Sequence, residues 1–281
     1  MTEQPEFEQI NRLITTFVLQ MREELKERWA QWKTDLSQNE FHEAAGTLLA
    51  RQVTLAGQLA QCPSIWNGHV APLVLRAMAD VYITLAWILK DPIQRSRKFI
   101  LYGLGQEKLQ TEHRKAQILD REPTPEEKLM IESSEAWINS QRFTFLTEVN
   151  LGSWSGVSTR QMAEEAGCLD FYNYVYTPFS ACTHSMWHHV AKYNLRQCSN
   201  PLHQYHKVPY DPPAPIDLDY LYLAGKYLQK TFSTFDQSIG IKIEGPSAFE
   251  QLCEELEKLS VAEDNLGNQQ NPSSDEATQD G

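Results

Sequence analysis

Apolar and polar residues follow a helical rather than a strand rhythm along almost all of this 281-residue chain. Over residues 7–32, Ile10, Leu13, Ile14, Phe17, Val18, Met21 and Leu25 recur at i, i+3, i+4 and i+7, which predicts an amphipathic helix. A second helix is predicted over 41–60, ending at Cys62-Pro63, and a third over 73–89, closed by Lys90-Asp91-Pro92. A fourth covers 93–119, with Arg95, Arg97 and Lys98 near its start, and the Pro123 and Pro125 pair separates it from a fifth over 126–148. Gly152 and Gly156 place Trp154 in a loop. Ser158 with Gln161 reads as a capping box for a short helix to Ala166, stopped by Gly167. Thr177-Pro178 reads as the N-cap and first-turn proline of a helix over 179–195. Four prolines within 208–216 predict an extended connector, and helices follow over 217–239 and 246–259.

No internal repeat is present, and no apolar alternation is long enough for a sheet. The expected fold class is all-α: a multi-helix bundle around a central apolar helix, forming a single domain over 1–260. Residues 261–281 are mostly Asn, Gln, Ser, Asp and Glu, and an acidic disordered tail is expected there.

The central segment, 73–89, sets this chain apart from a generic bundle. Besides the Tyr82 hydroxyl and the Trp87 indole N–H, its only polar residues are Arg76, Asp80 and Thr84. Their i, i+4, i+8 spacing lines them up as one narrow stripe on an otherwise apolar rod. A charged residue on a buried rod is costly unless paired, so the stripe predicts a buried polar site. The 17 residues fall short of the roughly 20 apolar residues of a membrane span and include two charges, so no membrane is expected.

Charge narrows the picture little. The net charge of -12 is concentrated in residues 244–281, with ten acids against one base, while residues 1–243 hold 27 acids and 24 bases. A near-neutral body neither invites nor excludes nucleic acid. Cys62, Cys168, Cys182, Cys198 and Cys253 are odd in number and form no C-x-x-C pair, favouring reduced thiols in a cytoplasmic protein. The opening residues are acidic and lack the basic and apolar regions of a signal peptide.

A second polar stripe lies on the helix predicted over 179–195. Ser180, His184 and His188 share the i, i+4, i+8 spacing of the first stripe, and His184 falls about 130° from the centre of the apolar face at about 100° per residue. The two stripes are expected to meet, with Tyr176, Ser180 and His184 facing Arg76 and Asp80. Such a cluster is either a structural clamp or an acid–base site acting on a phosphodiester, with Arg76 holding the phosphate and His184 moving the proton. The candidate catalytic residues are therefore Arg76, Asp80, Tyr176, Ser180 and His184.

His184 and His188 also have the spacing of two zinc ligands on a helical face, with His203 and His206 nearby. No Glu follows His184 as in H-E-x-x-H and spacing indicates no third ligand, so no metal and no cofactor are expected. Residues 159–167 resemble the first helix of a helix-turn-helix, but residues 170–176 are aromatic without Arg or Lys and Pro178 interrupts a recognition helix.

At Leu75-Arg-Ala-Met-Ala-Asp-Val81, at Lys90-Asp-Pro92 with Arg97 to Phe99, and at Tyr176-x3-Ser180-x3-His184, the chain resembles the bacterial domain of unknown function 5677 family over a core of residues 44–191. That family usually has Glu on the central helix, so Asp80 is a shortening. The helical arrangement is also similar to the HEPN group of all-α proteins, many of them RNases of toxin and defence systems. HEPN nucleases carry Arg and His a few residues apart on one helix. Here Arg76 would supply the cation from another helix, and the Arg196–His203 pair contains Pro201. The resemblance implies an RNA-processing or defence-associated protein; the alternative is a non-catalytic helical interaction module. RNA or a protein is the expected partner, with self-association into a homo-oligomer open.

Overall fold

The computed structural model describes residues 3–33, 35–141, 154–213 and 215–269. It is all-α apart from one short two-stranded ribbon. The elements in order are α1 (Glu3–Gln31), α2 (Asn39–Ala60), α3 (Ala71–Ile88), α4 (Pro92–Gln117), α5 (Pro125–Ser140), α6 (Thr159–Ala166) and α7 (Leu169–Phe171). A π-helical turn (Tyr172–Tyr176), α8 (Thr177–Thr183), α9 (Trp187–Asn194), β1 (Leu195–Gln197), β2 (Lys207–Pro209), α10 (Asp219–Ile239) and α11 (Ala248–Gln269) complete it.

Helix α3 lies at the centre, touching α2, α10, α6, α8, α4 and the π turn. It is long and apolar enough to cross a membrane by length and composition, yet 67% of it is buried among its neighbours. Leu75, Met78, Ile83, Leu85 and Ile88 are fully buried, each contributing roughly 1.5–3 kcal/mol of transfer free energy. The apolar series of α1, Leu13 through Met21, packs against α2 and α11. Gly46 lets that layer close: a Cβ there would lie 2.5 Å from the Trp29 ring. Helices α4 and α5 form an arm on the periphery. Of α5 only Ile138 is buried, and Lys115 ties the pair together through Glu135 at 2.6 Å.

Local chemistry explains most element ends. Thr124 and Glu127 cap α5 reciprocally, with Pro125 in the first turn. Ser158 accepts from the Gln161 N–H at 3.2 Å, while the Gln161 side chain turns to Glu165, so only half of the expected capping box forms. Gly167 at φ 77° closes α6, with its own N–H on Glu164 O and that of Cys168 on Ala163 O.

Two expectations are corrected. Thr177-Pro178 does not begin a helix: the chain is helical from Leu169, and Pro178 sits inside a helical run. Proline in a helix clashes with the carbonyl four residues back; the π turn just before it, closed by the Thr177 N–H on Tyr172 O, opens the backbone there. The helix expected over 179–195 is two helices, broken at Ser185, which takes a left-handed φ of 48°. The Ser185 N–H donates to Cys182 O and the Met186 N–H to Ala181 O, a Schellman ending with serine where glycine is usual. Helix α11 is described through Gln269. Residues 270–281, like 142–153 at the end of the predicted fifth helix, lie outside the described residues.

Candidate functional site

The two polar stripes meet, though not along their whole length. Arg76 projects from α3 towards the turn joining the π segment to α8. Its Nε donates to Ser180 Oγ at 2.8 Å, its Nη1 pairs with Asp80 one helical turn on, and its guanidinium lies 3.2 Å from the centroid of the Tyr176 ring. Ser180 in turn donates to Tyr176 O at 2.8 Å, and the Tyr176 hydroxyl donates to Thr159 Oγ1 of α6 at 3.3 Å. Tyr172 stacks on Tyr176 with ring centroids 4.7 Å apart. The cluster thus ties α3, α6 and α8 together. The π turn aims Tyr176 across the Arg76 cation.

Burial is uneven. The Arg76 side chain is 11% exposed, but that of Asp80 is 49% exposed, so the expectation of a fully buried pair holds for the cation alone. Asp80 sits on the same face one turn further along α3. Desolvation pushes its carboxyl above the usual range, against the pull of Arg76. Burial also raises the Tyr176 phenol, opposed by its bond to Thr159.

His184 is left out of this cluster. It is the C-cap of α8, its backbone N–H bonds Ser180 O at 3.0 Å, and its side chain is exposed. Among the described residues no hydrogen bond joins its ring to Arg76 or Asp80. The break at Ser185 also separates it from His188, so the two do not share the helical face that a zinc reading required. The helix-turn-helix likeness ends at Gly167: a three-residue helix and the π turn follow α6, not a turn and a recognition helix.

Two further constellations escaped the sequence reading. Arg28 of α1, with a side chain 4% exposed, makes a two-pronged contact with Asp236 of α10 (2.8–3.1 Å), bonds Glu24 Oε2 at 3.0 Å and stacks on Phe232. The Glu24–Arg28 spacing is a readable i, i+4 pair, but Asp236 is 208 residues away. The second lies in the ribbon loop, where Cys198, His203 and His206 bring their ligand atoms within 4.8 Å of one another. All three residues were visible in the sequence as separate features; the turns of one hairpin loop gather them.

A family model described as a family of unknown function, DUF5677, matches residues 42–200. No curated protein matches the chain. No solved structure does either. The HEPN likeness draws no support from these comparisons.

Proposed function

Because the chain belongs to this family, whose function is unknown, its role has to be read from its own surfaces, and we propose that it is a non-catalytic helical interaction module of the cytoplasm. In this reading the Arg76 cluster is a structural pin that fixes how α8 sits on α3. One observation carries it: Arg76 directs Nε to Ser180, Nη1 to Asp80 and its planar face to Tyr176, and its side chain is 11% exposed. A phosphate-binding arginine needs an outward-facing fork, and this one is turned inward.

The partner proposed is a protein rather than RNA. Residues 170–194, which carry the π turn, α8 and α9, contain a single Lys or Arg, Lys192, too few cations to hold a phosphate backbone. The same stretch exposes Tyr174, Met186 and Trp187, the last 73% exposed. Aromatic and methionine side chains in the open are the usual anchors of protein–protein contacts.

A second reading, RNA processing of the HEPN kind, rests on one observation. Asp80 is a rim carboxyl with a raised pKa beside a cation and a π turn, a setting in which general acids occur. In that reading His184 would swing in to move the proton. The test uses structured RNA without added metal, and a photo-crosslinking residue placed at Trp187 in cells. The expected results are no cleavage and crosslinks to one discrete protein. Cleavage that disappears in a folded His184→Ala variant, or crosslinks to RNA, would overturn the module reading.

A further inference from the structure

The ribbon loop is organised beyond what its packing accounts for. Strands β1 and β2 pair antiparallel, with Gln197 opposite Lys207, and the Cys198 N–H extends the ladder by donating to His206 O at 3.0 Å. Cys198 and His206 therefore face each other across the ribbon, as directly opposed residues do. Between them the chain makes two successive turns: the His203 N–H bonds Asn200 O at 3.0 Å and the His206 N–H bonds His203 O at 3.1 Å, with Pro201 pre-set for the first turn. Gln197 Nε2 clamps both turns by donating to His203 O and Gln204 O, each at 3.0 Å. Asn200 adds two contacts, its N–H to Cys198 Sγ at 3.5 Å and its side-chain amide to His203 Nε2 at 3.2 Å. Yet Leu202 and Tyr205 are 89% and 94% exposed, so no apolar core supports the loop. Hydrogen bonds alone hold three soft or borderline ligands in one place.

We propose that Cys198, His203 and His206 bind one Zn²⁺ ion and that the ion fixes the loop. A tetrahedral zinc with Zn–S near 2.3 Å and Zn–N near 2.0–2.1 Å sets sulfur and nitrogen about 3.6 Å apart. Cys198 Sγ and His203 Nδ1 stand 3.7 Å apart. One thiolate and two imidazoles suit zinc over the hard cations magnesium and calcium, which take oxygen ligands. On coordination the Cys198 thiol gives its proton to solvent, and the Asn200 N–H then supports the bound sulfur. Three protein ligands leave a fourth position for water or a ligand from outside the chain. This site is separate from the Arg76 cluster and does not depend on the module reading.

The test is equilibrium titration of the full chain with Zn²⁺ against a chromophoric chelator under a non-chelating reductant, and with Co²⁺ as a spectroscopic probe. One ion per chain is expected, and the Co²⁺ form should show tetrahedral bands with a thiolate charge-transfer band that Cys198→Ser abolishes. Cys198→Ser, His203→Ala and His206→Ala should each lower affinity by more than the ~10–100-fold that losing a supporting contact costs. His184→Ala and His188→Ala, which lie outside the cluster, should bind as wild type. Absence of one-to-one uptake, full affinity in Cys198→Ser, or loss of affinity in His184→Ala would each overturn the proposal. All five positions lie at or near the surface, and a circular-dichroism melt confirms that each variant folds.

Discussion

Replacing Arg76 with alanine should destabilise the protein by about 3–6 kcal/mol, a figure assembled from three separable contacts. The guanidinium over Tyr176 is largely desolvated, where a cation–π contact is worth about 1–2 kcal/mol. The Nε bond to Ser180 is a charge-assisted hydrogen bond at 2.8 Å, worth about 1.5–3 kcal/mol. The Asp80 partner is half exposed, so that ion pair adds only about 0.2–1 kcal/mol. Asp80→Ala should cost less, about 1–3 kcal/mol, because Arg76 keeps its other two contacts and loses only the partner of Nη1. Urea unfolding at neutral pH with a common slope for all variants measures both. A coupling above about 0.5 kcal/mol between Arg76→Ala and Tyr176→Leu in a double-mutant cycle would show that the ring contact is part of the loss. Arg76→Ala within about 0.5 kcal/mol of wild type would refute the reasoning, since it would mean that the cation is solvated and the cluster is not a pin.

Asp236→Ala should be more damaging than Asp80→Ala, at about 3–5 kcal/mol by the same unfolding assay, because it strands the nearly inaccessible Arg28 with Glu24 as its only remaining carboxylate. Alkaline pH should destabilise the protein through the buried Tyr227 and the half-buried Tyr220. Burial pushes Tyr220 and Tyr227 up to about 12, so the folded state holds protons that the unfolded chain releases near its ordinary value of 10. Their contribution is complete below pH 10 and is lost as the pH rises towards 12. Tyr227→Phe should flatten that loss in stability measured against pH, and an unchanged slope would count against it. Gly46→Ala should destabilise, because the added carbon meets the Trp29 ring at 2.5 Å; a melting temperature at or above wild type would show that the ring moves aside freely.

What the sequence allowed depended on how far each device reaches along the chain. Apolar periodicity located α1, α2, α3 and α10 to within a few residues, because a buried helical face needs the i, i+3, i+4 pattern whatever it packs against. Stops written in glycine or proline were equally readable, as at Gly167. The same Schellman ending at Ser185 was invisible: serine pays a small penalty for a left-handed backbone, and nothing local signals that it does so. That one residue decided the fate of His184. The spacing of Arg76, Asp80, Tyr176 and Ser180 did foretell a shared site, since each stripe is a local pattern and an unpaired cation on α3 demands a partner. Contacts that depend on where distant segments come to lie, such as Arg28 with Asp236, left no pattern to read, whereas Cys198, His203 and His206 are close in sequence and are gathered by the turns of one loop.

The π turn at Tyr172–Tyr176 makes chain length a controlled quantity in this part of the protein. A π turn holds one residue more than the α-turn it replaces, so removing a residue such as the exposed Asn173 would restore ordinary pitch. Because the wider turn spends its extra residue without adding rotation, the segments on either side would keep their relative phase. Ser180 would still face Arg76, but the Pro178 ring would press on a carbonyl it now avoids. Exchanging Asn173 or Tyr174 for another residue alters only what faces solvent. The extra residue gives a proline a place inside a continuous helical run.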